Sequence, residues 1–371
     1  MRDGSQSLMR GLCRLSTRGS ISDRSPSDPL VAFGGQFYVP SRGVSRISRL
    51  EAATYSAITI EDARNPTIEL ARGCKSKCAF CRIGWAGGTY REAPREQVEA
   101  AIRSVGKGRP VNIFAPDYSS VSWVDDVEGL VSEVGCRNTS RDARADATHR
   151  MLARVDGVKQ YSFGVEGMSE RIRAGIGKPL TAERLVSTME TLSARGVSVV
   201  KWYLILGFPG ETDADRDEFV ALLEATRKVY SGTLQVTPTL LQPCPHTPME
   251  RLSARFDASA HARAESLRAW ARDAHGRDGR KWIVAQPKGP ELHESDSALT
   301  RAGRDASRYL ATAKLSDVAS GRWRAHLSDA LLDPIPDDAP TNWDHVDGPT
   351  DEQKKLGMER YRKAFARLRV L

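Results

Sequence analysis

Between residues 67 and 243, short apolar runs alternate with longer stretches in which apolar positions recur every three to four residues. The runs "TIELA", "VNIFAP", "QYSFGVEG", "VSVVKWYLILGF" and "LQVTPTLLQP" read as strands, with a weaker one near 136–142. "VSVVKWYLILGF" is almost continuously apolar, the mark of a strand covered on both faces. Helices are predicted between them. Val98, Ile102 and Val105 share one face behind Pro94, and Val127, Leu130, Val131 and Val134 share another. A third helix is expected near 146–155, a fourth on Leu185, Met189 and Leu192, and a fifth on Phe219, Leu222, Leu223 and Val229. Ser122 with Asp125, and Thr212 with Asp215, have capping-box spacing. Strands alternating with helices imply right-handed βαβ units and a parallel sheet. Six such repeats fall short of eight, so the expected fold class is α/β, a partial (β/α)6 TIM-like barrel.

The pattern changes on either side. Residues 1–64 read as an N-terminal extension, Ser- and Arg-rich and partly disordered; residues 65–250 as the barrel core; residues 251–371 as a mainly helical C-terminal region with a short "KWIVA" strand. Met358, Tyr361, Phe365 and Leu368 lie on one face of a terminal basic helix, expected to pack across the barrel. Chemistry in such folds gathers at the C-terminal ends of the strands. That rule selects the loop after "TIELA", then "APDYSS", "SRD", "GVEG", "LGFPGE" and "QPCPHTP" as one mouth.

Charge adds little. The net charge of +8 sits in the tails: eight Arg against three Asp in residues 1–50, and seven Lys or Arg against three acids in residues 350–371. Basic tails suit a nucleic-acid partner, although solvated ends are the plainer reading. No apolar run approaches a membrane span, so no membrane partner is expected. Six cysteines are too few for a disulfide scaffold, and a clustered trio points to metal in a reducing compartment, here taken as the cytoplasm.

That trio is Cys74, Cys78 and Cys81, in "ELARGCKSKCAFCRIGW". Thiolates are soft ligands for zinc or an iron–sulfur cluster. Structural zinc wants four closed ligands, usually as two pairs, whereas Cys13, Cys136 and Cys244 are isolated. A cubane held by three thiolates keeps one iron open.

The spacing Cys74-x-x-x-Cys78-x-x-Cys81 after the first strand of a partial barrel, with Phe80 before the last cysteine, resembles the cluster loop of the radical S-adenosylmethionine (radical SAM) superfamily. "FGVEGMSERIRAGIGKPLT" and "LILGFPGET" are similar to its fourth-strand and fifth-strand motifs. The resemblance implies a [4Fe–4S] cluster whose open iron chelates SAM. Reductive cleavage then gives a 5′-deoxyadenosyl radical that abstracts a substrate hydrogen. It also implies a reducing partner such as flavodoxin or ferredoxin. "YREAP", "QPCPHTP" and "NWDHVDG" further resemble the class whose longer members carry an N-terminal cobalamin-binding domain. Fewer than 75 residues precede the cluster and no Asp-x-His-x-x-Gly loop is present, which argues against cobalamin unless another chain supplies it. One cysteine trio likewise disfavours methylthiolation, which would need a second cluster.

By the same resemblance, Asp117, Tyr118, Ser119 and Ser120 stand where the SAM amino group is met; an Asx-type turn explains Asp117 nearly as well. Glu166 ends a buried strand and is read as a ribose ligand in preference to a salt bridge. Arg173 reads either as a fork donor to the SAM carboxylate or as a solvated helix arginine. Ile205 and Gly207 would lie against adenine, and the same stretch also needs its Gly and Pro for the strand-to-helix turn. His246 is a candidate acid or base, with a structural hydrogen-bonder the commoner role. Cys244 is a candidate radical partner or a small buried residue, and Asp344 and His345 are candidates for folding back over the barrel. The rival reading is a non-catalytic zinc or Fe–S protein whose tails bind nucleic acid.

Overall fold

The computed structural model describes residues 67–86, 90–138, 144–145, 159–278, 281–302, 327–344 and 348–367. Two parallel sheets follow one another along the chain. The first is built from β1 (Thr67–Glu69), β4 (Pro110–Phe114) and β5 (Arg137–Asn138), in that order. The second runs β6 (Gln160–Glu166), β7 (Val199–Leu206), β8 (Thr233–Leu240) and β9 (Trp282–Val284). All six expected strands are present in β/α succession, giving the α/β partial-barrel architecture. "KWIVA" is the difference: it pairs in parallel with β8 as a seventh strand rather than standing among the C-terminal helices. The weak strand shrinks to two residues, and the "SRD" rim and the helix expected near 146–155 lie outside the described residues, as does the whole extension 1–64.

The second sheet alternates strictly. Tyr161, Val200, Leu234 and Trp282 form one row across it and Phe163, Trp202, Val236 and Val284 the next. Both rows are buried under the helices α5 (Ala182–Ala194), α6 (Asp213–Val229) and α7 (Ala258–Asp278), which contribute Leu185, Met189, Phe219, Leu223 and Leu267. Trp202 lies between Phe163 and Phe219 with tilted rings, at centroid distances of 6.1 and 6.2 Å. The intervening row, Ser162, Lys201, Gln235 and Ile283, faces the other way, as do Tyr203 and Thr237 beyond it. That side is open at Tyr203 and Ile283, 41% and 47% exposed, and closed at Ser162, which is buried. The first sheet packs Ile68, Val111 and Ile113 on α2 (Arg95–Val105) and α3 (Val124–Val134).

Of the two capping boxes expected from spacing, one forms. Thr212 and Asp215 make the expected capping box. Ser122 does not cap α3: Trp123 is the N-cap, and the Ser122 hydroxyl donates to Glu92 Oε2 at 2.6 Å. A carboxylate brought close by β3 (Arg91–Glu92) outcompetes the local acceptor, a partner invisible to spacing. No helix among the described residues is long and apolar enough to cross a membrane.

Trp202 carries the largest fully buried side chain of this core. Trp202→Ala should lower unfolding free energy by about 3–5 kcal/mol, read as a reduced urea midpoint with the same slope; an unchanged midpoint would contradict this packing.

Candidate functional site

The cysteine loop leaves β1 and passes through β2 (Ala71–Arg72), which pairs antiparallel with β3. Beyond Cys81 it enters the short helix α1 (Arg82–Ala86). Its shape is set by contacts at both ends. Trp85 Nε1 donates to the carbonyl of Cys78 at 2.9 Å, and Lys77 Nζ donates to that of Gly84. Gly84 is required because a Cβ there would collide with the Ser76 carbonyl. The Ala79 N–H donates to Ile176 O at 2.9 Å, seating the loop on the turn after α4 (Glu170–Gly175). "YREAP" braces the outer side: Glu92 accepts from Tyr90, at 2.9 Å, and from Ser122, and Lys75 lies 4.4 Å above the Tyr90 ring while donating to Ser120 O.

The three thiols are free. Cys74 Sγ accepts from the Ser76 N–H at 3.4 Å, while the Cys78 thiol donates to Gly177 O at 3.9 Å. Cys81 takes backbone hydrogen bonds from Gly84 and Ile83 that favour its thiolate, but burial outweighs them and holds its thiol above the ordinary range. Burial pushes Cys78 up to about 11. Binding of a metal cation would displace the protons of such thiols to solvent and compensate the thiolate charges that burial alone disfavours. Among the described residues no three His, Cys, Asp or Glu side chains already converge as a metal cage. The donor set fits an iron–sulfur cluster in its chemistry, three free soft ligands within one loop with N–H groups aimed at two of the sulfurs.

One apolar cluster draws the rim together. Ala79 and Phe80 of the cysteine loop meet Ile172 and Ile176, Ile205 and Phe208 from the end of β7, Met249 after β8, and Met358 and Tyr361 of the terminal helix α9 (Asp351–Arg367). Phe80 stands edge-on to Phe208 at 5.9 Å. Thus the structure gathers Phe80, Ile205 and the cysteine loop at one mouth. Gly207 follows with φ +90°, a conformation suited to glycine, and donates its N–H to Glu211 Oε1 at 3.0 Å.

Other predicted ligands have protein partners. Asp117 accepts the hydroxyls of Ser119, at 2.6 Å, and Ser120, and its side chain caps no backbone N–H of the turn. Tyr118 is buried and donates to Glu128 Oε1 at 2.6 Å. Glu166, read from the sequence as a ribose ligand in preference to a salt bridge, accepts Lys178 Nζ at 2.9 Å. Its partner lies twelve residues away and arrives only because the β6–α4 connection turns back. Arg173 is not a solvated helix arginine. It is fully buried, and it donates to the carbonyls of Leu180, Gly167 and Met168 at 2.5–3.1 Å, tying the turn after β6. His246 is 5% exposed beneath Gly348; burial lowers its pKa, and its N–H donates to Glu250. Cys244 is half-buried, its thiol raised by burial and by the neighbouring Cys81 despite Arg82. Asp344 accepts locally from Thr341, and His345 lies outside the described residues.

Glu166 and His246 are the two non-glycine residues with positive φ among those described, at +68° and +63°. Such strain concentrates where a rim must aim a side chain. At Glu166 the register with β7 also slips, a bulge that turns the carboxylate toward Lys178. Sequence reading missed Lys178, Glu250 and Glu211. Glu211 is fully buried; its Oε1 accepts from Gly207 and from Arg263 Nε at 3.1 Å, while Oε2 has no hydrogen-bond partner. Burial prevails over both donors and raises its pKa from the ordinary 4.5 to about 7. The signal was present in "FPGET", a carboxylate four residues after a strand-ending glycine.

Comparison with known proteins agrees with this arrangement. Residues 68–223 match the Radical SAM superfamily. This chain carries a radical SAM domain. An uncharacterized protein of Methanocaldococcus jannaschii is 27% identical over 198 residues, 52% of this chain and 44% of that protein. The ribosomal protein uS12 methylthiotransferase RimO of Prosthecochloris aestuarii is 26% identical over 179 residues, covering 43% of this chain and 41% of its own. A tRNA-2-methylthio-N(6)-dimethylallyladenosine synthase of Chlorobium phaeobacteroides is 26% identical over 211 residues, 51% and 48% of the respective chains. The chain thus spans about half the length of the curated relatives it matches or less. Among solved structures, SuiB of Streptococcus suis bound to S-adenosylmethionine superposes with a TM-score of 0.43 at 12% identity, over 60% of this chain and 50% of SuiB.

Two outcomes follow for the radical SAM domain. In Gly164→Ala the new Cβ would overlap the Glu166 carboxylate and crowd Lys178. It should destabilise by roughly 1–3 kcal/mol, and Glu166→Ala added to it should recover part of the loss in urea unfolding. Glu211 ionises against burial, so its contribution is present below pH 4.5 and is lost as pH rises through about 7. Glu211→Gln should remove that slope, worth about 3 kcal/mol at most, in stability measured from pH 4.5 to 8; parallel curves for the two proteins would sink the assignment.

Proposed function

We propose that this chain is a radical SAM enzyme that holds a [4Fe–4S] cluster on Cys74, Cys78 and Cys81. The cluster, reduced by an external electron donor, would supply reductive cleavage of SAM to a 5′-deoxyadenosyl radical that takes a substrate hydrogen. The observation that carries the reading is the seating of three free thiols at the C-terminal mouth of parallel β/α repeats, inside the matched domain.

The chain's own residues supply position and shelter. Phe80, Ile205 and Phe208 form an apolar wall beside the cysteine loop, on which an adenine ring can lie. Gly207 permits close backbone approach there. The Glu166–Lys178 pair is 11–15% exposed and stands at the rim within electrostatic reach of the thiols. A ribose hydroxyl would join that pair rather than meet a lone carboxylate. The sheet face bearing Lys201, Thr237 and the exposed Tyr203, opposite the helices, is where a substrate would be met. Methylthiotransfer is the activity named for two relatives; C-methylation, rearrangement and oxidation begin from the same hydrogen abstraction.

The test is 5′-deoxyadenosine formation by anaerobically reconstituted protein with SAM and dithionite. Protein with Cys74, Cys78 and Cys81 changed to Ala should lose the product entirely. Equal product from both proteins, or none from wild type with a verified full cluster and bound SAM, would count against the reading.

A further inference from the structure

Glu250 follows β8 by ten residues and is 1% exposed. Its Oε2 accepts the His246 N–H at 2.7 Å and Trp343 Nε1 at 2.9 Å; its Oε1 accepts Lys354 Nζ at 2.6 Å. Two of these donors come from 93 and 104 residues further along the chain. A carboxylate withdrawn from water is tolerated only while its partners are in place, and the same holds for the mostly buried Lys354 ammonium. Docking of the C-terminal segment and burial of Glu250 are therefore one event.

That segment lies over the mouth. Gly348 covers the His246 imidazole so closely that a Cβ would collide with it, and a Cβ at Gly357 would strike Pro248 and press on Trp85 of the cysteine-loop helix. Tyr361 donates its hydroxyl to Pro209 O at 2.7 Å, two residues beyond Gly207. Arg301 seconds the fastening, donating to the carbonyls of Glu250 and Leu331 and accepting Asn342 Nδ2 on its own.

We propose that Glu250 is a positioning residue, a buried latch that holds residues 341–344 and 351–361 as a strap across the mouth and sets the left-handed backbone of His246. The strap makes the C-terminal region part of the shelter around the cysteine loop. What it shelters rests on the function proposed above; the latch itself does not.

The experiment is backbone amide exchange on the full chain without cofactors, so its failure is separate from a failure to form 5′-deoxyadenosine. Glu250→Gln strands Lys354 at its buried end, leaving it only the exposed Asp351 carboxylate at 2.7 Å. Exchange in 341–344 and 351–361 should quicken about tenfold or more while β7 and β8 keep their protection. Adding Lys354→Met removes the stranded charge and should bring the strap back to within about threefold of wild type. Should Glu250→Gln not fold, Trp343→Phe keeps the ion pair and removes one donor; a smaller rise confined to the strap is then expected. Unchanged exchange in the strap, a rise shared equally by β7 and β8, or no rescue in the double variant would overturn the proposal.

Discussion

The loop that bears Cys74, Cys78 and Cys81 adds no rung to either parallel sheet, so its position depends on apolar packing from outside. Ala79 and Phe80 are its only strongly apolar members between the cysteines, and both insert into the cluster formed by Ile172, Ile176, Ile205, Phe208, Met249 and Tyr361. Four rim connections and the terminal helix meet there. Remove that burial and the loop keeps only a two-residue antiparallel pairing and a few carbonyl contacts. The parallel core below can be stable without the cluster; a formed mouth cannot.

Around this clamp the charged residues work in pairs with unequal consequences. Asp215 is buried and accepts from Ser169, Arg171 and Thr212; burial raises its pKa, but those donors prevail and leave it lowered. It thereby ties the β6 rim to the β7 rim. Glu211 has a comparable burial but fewer donors, and the balance tips the other way. The pKa values of two carboxylates four residues apart are thus moved in opposite directions by the number of donors each meets. Exposed pairs such as Arg103–Glu133 join helices with little energetic weight.

The strand and helix pattern was readable because each element must bury a face with its own periodicity. Strict alternation in β7 and the Leu185–Met189–Leu192 stripe survive intact in the folded chain. Reading weakened where partners are distant in sequence. Glu166 appeared unpaired because Lys178 is brought in by a turn, and the choice between a SAM donor and a solvated arginine at Arg173 did not foresee that three carbonyls take its donors. Ser122 failed as a cap for the same reason. The narrow "KWIVA" run could not reveal its neighbour, since a three-residue strand pairs wherever an edge is free.

By itself the sequence determined the succession of β/α units, the rim on which chemistry gathers and the thiol spacing, all of which follow from local periodicity and short-range order. The tertiary structure decided which rim groups are spoken for: Glu166 by Lys178, Asp117 by its serines, Glu250 by Trp343 and Lys354. It also decided that the C-terminal helix closes over the mouth. Those outcomes turn on buried charges finding partners up to a hundred residues away, a condition set by desolvation in the folded interior and by no pattern along the chain.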